Sequence, residues 1–146
     1  MDTIDQHILE ILKGNSRATA SEISKHVNLS IPAVAERIRK MDESKIIEKY
    51  TVKINREALG YTVLAFIFVN IDQTQNIENF RKTIIVNPSV LECHHVVGQH
   101  DYLLKVLAKD TMSLEHFISN ELKKIKGVVN TNTIISLSSL KENLNV

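Results

Sequence analysis

The amino-acid sequence predicts an α+β chain: an N-terminal winged-type helix-turn-helix domain followed by a C-terminal ferredoxin-like βαββαβ domain. Three observations carry this expectation. Apolar residues recur at helical spacing in three consecutive segments of residues 1–45, the signature of helices with one buried face. A tight turn built on Asn28 separates the second segment from the third. From Thr62 onward the pattern runs strand, helix, strand, strand, helix, strand, which is the split βαβ arrangement.

Local signals set each element of the first half. Ile4, Ile8, Ile11 and Leu12 define one face of a first helix. Asp2 caps it and Asp5 lies in its first turn, where a carboxylate suits the helix dipole. Gly14-Asn15-Ser16 stops it. Thr19-Ala20-Ser21-Glu22 is a capping box, in which hydroxyl and carboxylate each satisfy a free amide. Ile23 and Val27 give the short second helix its apolar face. It ends at Asn28, a residue type that tolerates the left-handed conformation. Ser30 caps a third helix, and Pro32 in its first turn costs no hydrogen bond. Val34, Ile38 and Met41 form the inward stripe; Ser30, Ile31, Ala33, Glu36, Arg37 and Lys40 face outward, with Arg39 beside them. A helix that is small and polar at its start and basic toward its end suits the roughly 12 Å major groove of double-stranded DNA. Arg17, Thr19 and Ser21, around the entrance to the second helix, are assigned to the same surface. Ile46–Ile54 is rich in strand formers. It is expected to be a wing or, the preferred reading, a connecting strand paired with a second subunit.

Domain boundaries are expected at 1–55, a linker at 56–61, a second domain at 62–140 and a tail at 141–146. Thr62–Ile71 reads as a strand with two apolar faces: Val63, Ala65, Ile67 and Val69 on one, Leu64, Phe66 and Phe68 on the other. Helices of the same chain can cover only one of them, so a second copy is expected on the other. Ile77, Phe80 and Ile84 mark a helix within 76–86, ended by Pro88. Strands Val90–Val97 and Tyr102–Ala108 flank the turn Gly98-Gln99-His100-Asp101. Asp110 or Thr111 caps a helix with the stripe Leu114, Phe117, Ile118, Leu122 and Ile125, closed by Lys123, Lys124, Lys126 and Gly127. Val128–Leu137 is the final strand.

Net charge is +1, and the two halves are nearly balanced. A DNA surface must therefore come from local placement, with dimerisation supplying further phosphate contacts. No apolar run is long enough to span a membrane and no secretory leader is expected, which points to the cytoplasm and the nucleoid. The single cysteine, Cys93, excludes an internal disulfide and fits a reducing compartment. No nucleophile with an assignable base and no glycine-rich phosphate loop is legible, so an enzyme is not expected. Cys93, His94, His95 and His100 raise the question of a metal. Neighbours on a strand point to opposite faces, which leaves only Cys93 and His95 with His100 as a three-ligand alternative. No metal and no resident cofactor is expected.

Taken in order, the motifs are Ile4-Asp5-x-x-Ile8-Leu9, Asn15-Ser16-Arg17-Ala18-Thr19, and Leu29-Ser30-x-x-Ala33-Val34-x-x-Arg37-Ile38-x-x-Met41. Ile46-Ile47-x-x-Tyr50-Thr51 follows, then Glu92-Cys93-His94-x-Val96-x-Gly98-x-x-Asp101-Tyr102-Leu103-Leu104-Lys105 and Gly127-Val128. With these the chain resembles the Lrp/AsnC, or feast/famine, family of bacterial and archaeal transcription regulators over essentially its whole length. The resemblance implies a DNA-binding domain, a linker strand and an α/β domain that dimerises through its sheet, with dimers assembling into octamers or larger discs. It also implies a small-molecule effector, usually an amino acid such as leucine, bound between dimers. Carried onto this sequence, that site comprises Gly98, His100, Asp101 and Tyr102, with Thr131 and Thr133 opposite. Asp101 is the expected partner of an effector ammonium group; the alternative is a turn residue that bonds its own backbone. The chain departs from the family pattern at Lys45, where Gly is frequent, at His95, and at Gln99-His100. Two other functions stay open on the residues alone: an architectural DNA-binding protein without an effector, and a ligand- or metal-binding α/β module.

Overall fold

The structure, a computed structural model, describes residues 1–145; Val146, the end of the expected tail, lies outside the described residues. The chain divides into a unit of Met1–Ile54, joined by residues 143–145, and a unit of Asn55–Glu142. The expected linker at 56–61 thus belongs to the second unit. It forms a 3-10 turn at Glu57–Leu59, and Arg56 donates to the Glu142 carboxylate at 3.0 Å. That ion pair also carries the second unit two residues beyond its expected end at 140.

Three helices build the first unit: α1 (Thr3–Gly14), α2 (Ala20–Val27) and α3 (Ile31–Glu43). All three caps form as the sequence dictates. Asp2 and Asp5 exchange backbone bonds in a capping box, Thr19 and Glu22 make a second, and Ser30 Oγ accepts from the Ala33 amide. Asn28 ends α2 in the left-handed conformation at φ +52°. The three inward stripes meet at Ile8, Leu12, Ile23, Val34 and Met41, and full burial of one such side chain stabilises by about 1.5–3 kcal/mol. After α3 the chain closes a Schellman motif. The Lys45 amide bonds to the Asp42 carbonyl at 3.1 Å and the Ile46 amide to the Met41 carbonyl at 3.0 Å. Lys45 therefore sits at φ +59°, the position glycine favours.

Ile46–Ile54 forms no strand in this chain, which corrects the wing reading. A wing needs a hairpin partner, and none is present in the unit among the described residues. The segment is held instead by single bonds, from Ser16 Oγ to the Thr51 carbonyl and from Tyr50 Oη to the Asp42 carboxylate. Val52 and Ile54 are 70% and 62% exposed.

The second unit is a four-stranded antiparallel sheet among the described residues. Its strands are β1 (Val63–Ile71), β2 (Val90–His95), β3 (Tyr102–Ala108) and β4 (Val128–Ser136), in the order β2-β3-β1-β4. Helices α4 (Ile77–Ile84) and α5 (Thr111–His116) cover one face, giving the ferredoxin-like arrangement. Cross-strand partners share a face. The covered face thus carries Ala65, Ile67 and Val69 of β1 with Tyr102, Leu104 and Val106 of β3, packed on Phe80, Ile84, Leu114, Phe117 and Leu122. The opposite face carries Phe66 and Phe68 beside Leu103, Lys105 and Ile134. Nothing of the unit covers its centre, where Phe66, Phe68 and Leu103 stay half-buried and Ile134 is 52% exposed.

The helix expected from Asp110 to Lys126 keeps its cap, with Asp110 Oδ1 accepting from the Ser113 amide at 2.7 Å. Its regular winding stops at His116, a π-helical turn follows at Phe117–Glu121, and a 3-10 turn at Leu122–Lys124. Buried residues explain the break. Leu114, Phe117, Leu122 and Ile125 are separated by three, five and three positions, and a regular helix would carry Leu122 off the sheet. The wider i→i+5 turn absorbs the extra residue.

Candidate functional sites

Helix α3 presents Ile31, Pro32, Ala35, Glu36, Arg39 and Lys40 to solvent. Of the expected DNA contacts, Ser30, Ile31, Glu36 and Lys40 lie on this surface, and Arg17, Thr19 and Ser21 are exposed at the start of α2. Two placements differ. Ala33 is half-buried and Ala35 takes the outward place, one helical turn after Ile31; counting four from Ile31 would have found it. Arg37 does not reach outward. Its Nη1 bridges Asp2 Oδ2 at 2.8 Å and Asp5 Oδ1 at 2.7 Å, tying α3 to the cap of α1. The Asp5 amide and then Arg37 hold the Asp2 carboxyl below the usual carboxylate range; the Asp2 amide and Arg37 do the same for Asp5. In this chain the Arg37 guanidinium, expected at a base edge, is engaged with the cap of α1.

The basic end of α3 is internally paired. Arg39 donates to Glu36 at 2.7 and 2.9 Å and also pairs with Glu43, and Lys40 lies 3.7 Å from Glu36. These pairs are exposed and individually weak. Phosphate can compete for both cations, while the pairing keeps them aligned along the helix.

In the second unit, the six residues implied as an effector site do not converge within one chain. Tyr102, Thr131 and Thr133 lie on the helix-covered face, because Val69 is the cross-strand partner of both Tyr102 and Thr131, and Ile67 of Thr133. Tyr102 is buried. Its hydroxyl accepts from Arg81 Nε at 2.7 Å and its ring stacks on His95 at 5.1 Å. His100 lies on the opposite face, with its ring 4.8 Å from Phe68 and Nδ1 2.8 Å from Asn70 Oδ1. Gly98, at φ +147°, and Asp101 occupy the turn between β2 and β3. Asp101 clasps that turn to β1. Its Oδ2 accepts from the Ile71 amide at 2.8 Å and its own amide donates to the Val69 carbonyl at 3.0 Å. Arg81 and Asn70 escaped the sequence reading because neither falls in an apolar stripe or a motif.

Lys123, Val128, Val129, Asn130 and Thr131 line an open cavity of about 360 Å³. On the uncovered face, Glu92 accepts from His94 and Lys105 at 3.0 Å each, and the two hold its carboxyl below its ordinary value. Cys93 faces the helices, where burial pushes its thiol up. Cys93 and His95 therefore lie on the other side of the sheet from His100, and no metal-binding cluster exists among the described residues. None of the helices among the described residues is long and apolar enough to cross a membrane.

A helix-turn-helix unit with an open third helix, joined to a one-face-covered antiparallel sheet, defines a two-part DNA-binding regulator. Comparison with known proteins gives the family. The AsnC-type helix-turn-helix domain matches residues 1–42, and the Lrp/AsnC ligand binding domain matches residues 64–146. The chain is 36% identical over 142 residues to the HTH-type transcriptional regulator FL11 of Pyrococcus horikoshii, covering 97% of this chain and 93% of that one. It is 31% identical over 144 residues to the leucine-responsive regulatory protein of Rhizobium meliloti, with coverage of 97% and 92%. Among solved structures, a Neisseria meningitidis transcriptional regulator in complex with L-methionine is similar at a TM-score of 0.97 and 28% identity, over 100% of this chain and 96% of that one. The chain belongs to the Lrp/AsnC family of transcriptional regulators.

Proposed function

We propose that this regulator binds a two-fold-related DNA site as a dimer, with two α3 helices in successive major grooves, and that an amino acid shifts its assembly. The observation that carries the first part is the exposed surface from Ser30 to Lys40 on a helix fixed by its Ser30 cap and the Arg37 bridge. The uncovered centre of the sheet, with Phe66, Phe68, Leu103 and Ile134, supports pairing with a second copy. Larger assemblies such as octamers extend this reading. The effector part rests on the methionine complex of the Neisseria regulator and on the Asp101 turn. Asp101 commits Oδ2 to a backbone amide, and Oδ1 is the acceptor proposed for an ammonium group. The six implied residues would then act from more than one chain.

Anisotropy titrations on duplex DNA at several salt concentrations test the reading, since phosphate contacts make log affinity fall linearly with log salt. Discrete half-sites in footprinting fit a regulator, whereas uniform periodic protection would favour an architectural role. Calorimetry with L-methionine and L-leucine tests the effector. Binding that persists unchanged in Asp101→Asn would remove that carboxylate from the site.

A further inference from the structure

The outward surface of α3 is chemically divided. Its second half holds Glu36, Arg39, Lys40 and Glu43, bound to one another. Its first half exposes Ile31, Pro32 and Ala35; Ile31 is 49% exposed even though Val34 and Ile38 next to it turn inward. The start of the helix is also poorly equipped to clamp a phosphate. Such sites use the free amides of the first turn, but Pro32 has none and the Ala33 amide is taken by Ser30 Oγ at 3.3 Å. The Arg37 guanidinium is drawn away to Asp2 and Asp5. What this end can offer a base pair is branched aliphatic surface.

In the major groove the one apolar feature of a base edge is the thymine C5-methyl group. We infer that Ile31, with Pro32 and Ala35 beside it, reads thymine methyl groups, so that the first turn of α3 selects T at defined positions by shape and apolar contact. This inference rests on the reading of α3 as the groove-entering helix. Ile31 lies outside the three-helix core cluster and leaves half its surface to solvent. Its place beside Pro32 and Ala35, also exposed, fits a surface that is dry in the complex.

The test uses the full-length chain and a duplex selected from a random-sequence library, with each thymine replaced in turn by deoxyuridine. That change removes the methyl group and keeps every hydrogen-bonding group. Burying one methyl-sized apolar group corresponds to roughly fourfold in affinity. The expected result is a loss of that size at one or two positions per half-site, and no loss at the same positions with Ile31→Ala or Ile31→Gln. Affinities are compared at a temperature where circular dichroism shows both variants folded, since half of the side chain is buried. If deoxyuridine is tolerated everywhere while Lys40→Ala or Glu36→Ala changes affinity, α3 reads by polar contacts and the inference falls. A penalty that survives unchanged in both Ile31 variants assigns the methyl contact elsewhere and also overturns it. If no substitution on α3 alters binding, the reading of α3 itself fails, and the inference with it.

Discussion

Gly127→Ala tests how the start of α4 is locked to the sheet. Gly127 stands at φ +96°, and a methyl group there would lie 2.5 Å from Asn76 Cβ and 3.0 Å from its Cγ and Nδ2. Asn76 is the one buried polar residue of the described chain. Its Nδ2 donates to the Asp72 carbonyl at 3.2 Å and to Asp72 Oδ1 at 3.1 Å, while the Asp72 amide donates to the Gly127 carbonyl at 2.8 Å. The substitution therefore adds backbone strain of about 1–2 kcal/mol. It also displaces an amide whose bonds contribute about 1 kcal/mol each. Reduced freedom of the unfolded chain returns about 0.4–1 kcal/mol. The net expectation is a loss of about 2–3 kcal/mol from the second unit, or roughly a 10–20 °C fall in its Tm. The assay is thermal and urea unfolding at fixed protomer concentration, because assembly makes Tm concentration-dependent. A double-mutant cycle with Asn76→Gly should recover the steric part and leave the conformational strain. A loss below about 0.5 kcal/mol for Gly127→Ala would show that the Asn76 contact yields freely, and the argument from close approach would fail.

Other predictions follow from the first unit and the uncovered sheet face. Lys45→Gly relieves a left-handed conformation that costs about 1–2 kcal/mol, partly offset by greater unfolded-state freedom. It should raise the Tm of the helical unit, and a fall would contradict the Schellman geometry. The carboxyls of Asp2, Asp5 and Glu22 all titrate below their ordinary values of 3.8, 3.8 and 4.5. Their contribution is present above those values and is lost as pH falls through the depressed ones. Helical circular dichroism should thus hold to about pH 4.5 and weaken below it, with a shallower acid transition in Arg37→Met. The same Arg37→Met variant should lose thermal stability in the helical unit, and its DNA affinity should recover on cooling; a full-strength affinity loss in a fully folded protein would restore direct base contact. Phe66→Glu should shift sedimentation toward the monomer without unfolding the sheet, and an unchanged assembly would place the subunit contact elsewhere.

The fold was legible where a local signal had a single structural solution. Asn28, the Thr19–Glu22 box and the Ser30 cap each close a defined set of free amides, so helix ends follow directly from residue types. The ferredoxin-like class followed from element order, because short connections restrict how a split βαβ unit can pair. Ile46–Ile54 was less tractable. Its residues favour extended backbone, but a strand exists only with a partner edge, and none belongs to its own unit among the described residues. The π turn was hidden because apolar residues at 117, 118 and 122 satisfy a helical stripe in outline. Only the five-residue gap between fully buried positions reveals the wider winding.

Site residues were harder to place than elements, and Arg37 shows the physical reason. Helical periodicity sets the direction of Cα–Cβ, and by that measure Arg37 belongs with Glu36 and Lys40. A guanidinium sits several bonds further out and goes wherever opposite charge is nearest. Here that is the pair of aspartates capping α1, thirty-five and thirty-two residues earlier in the chain. Thr131 and Thr133 carry the complementary lesson. Their alternation fixes that they share a face, but the choice between faces depends on the register of β4 against β1, where Val69 meets Thr131. An effector bound by His100 and Thr131 together would therefore need to touch opposite sides of one sheet. If calorimetry found one amino acid bound per isolated monomer, with binding lost in both His100→Ala and Thr131→Ala, the proposal that these residues act from two chains would fail.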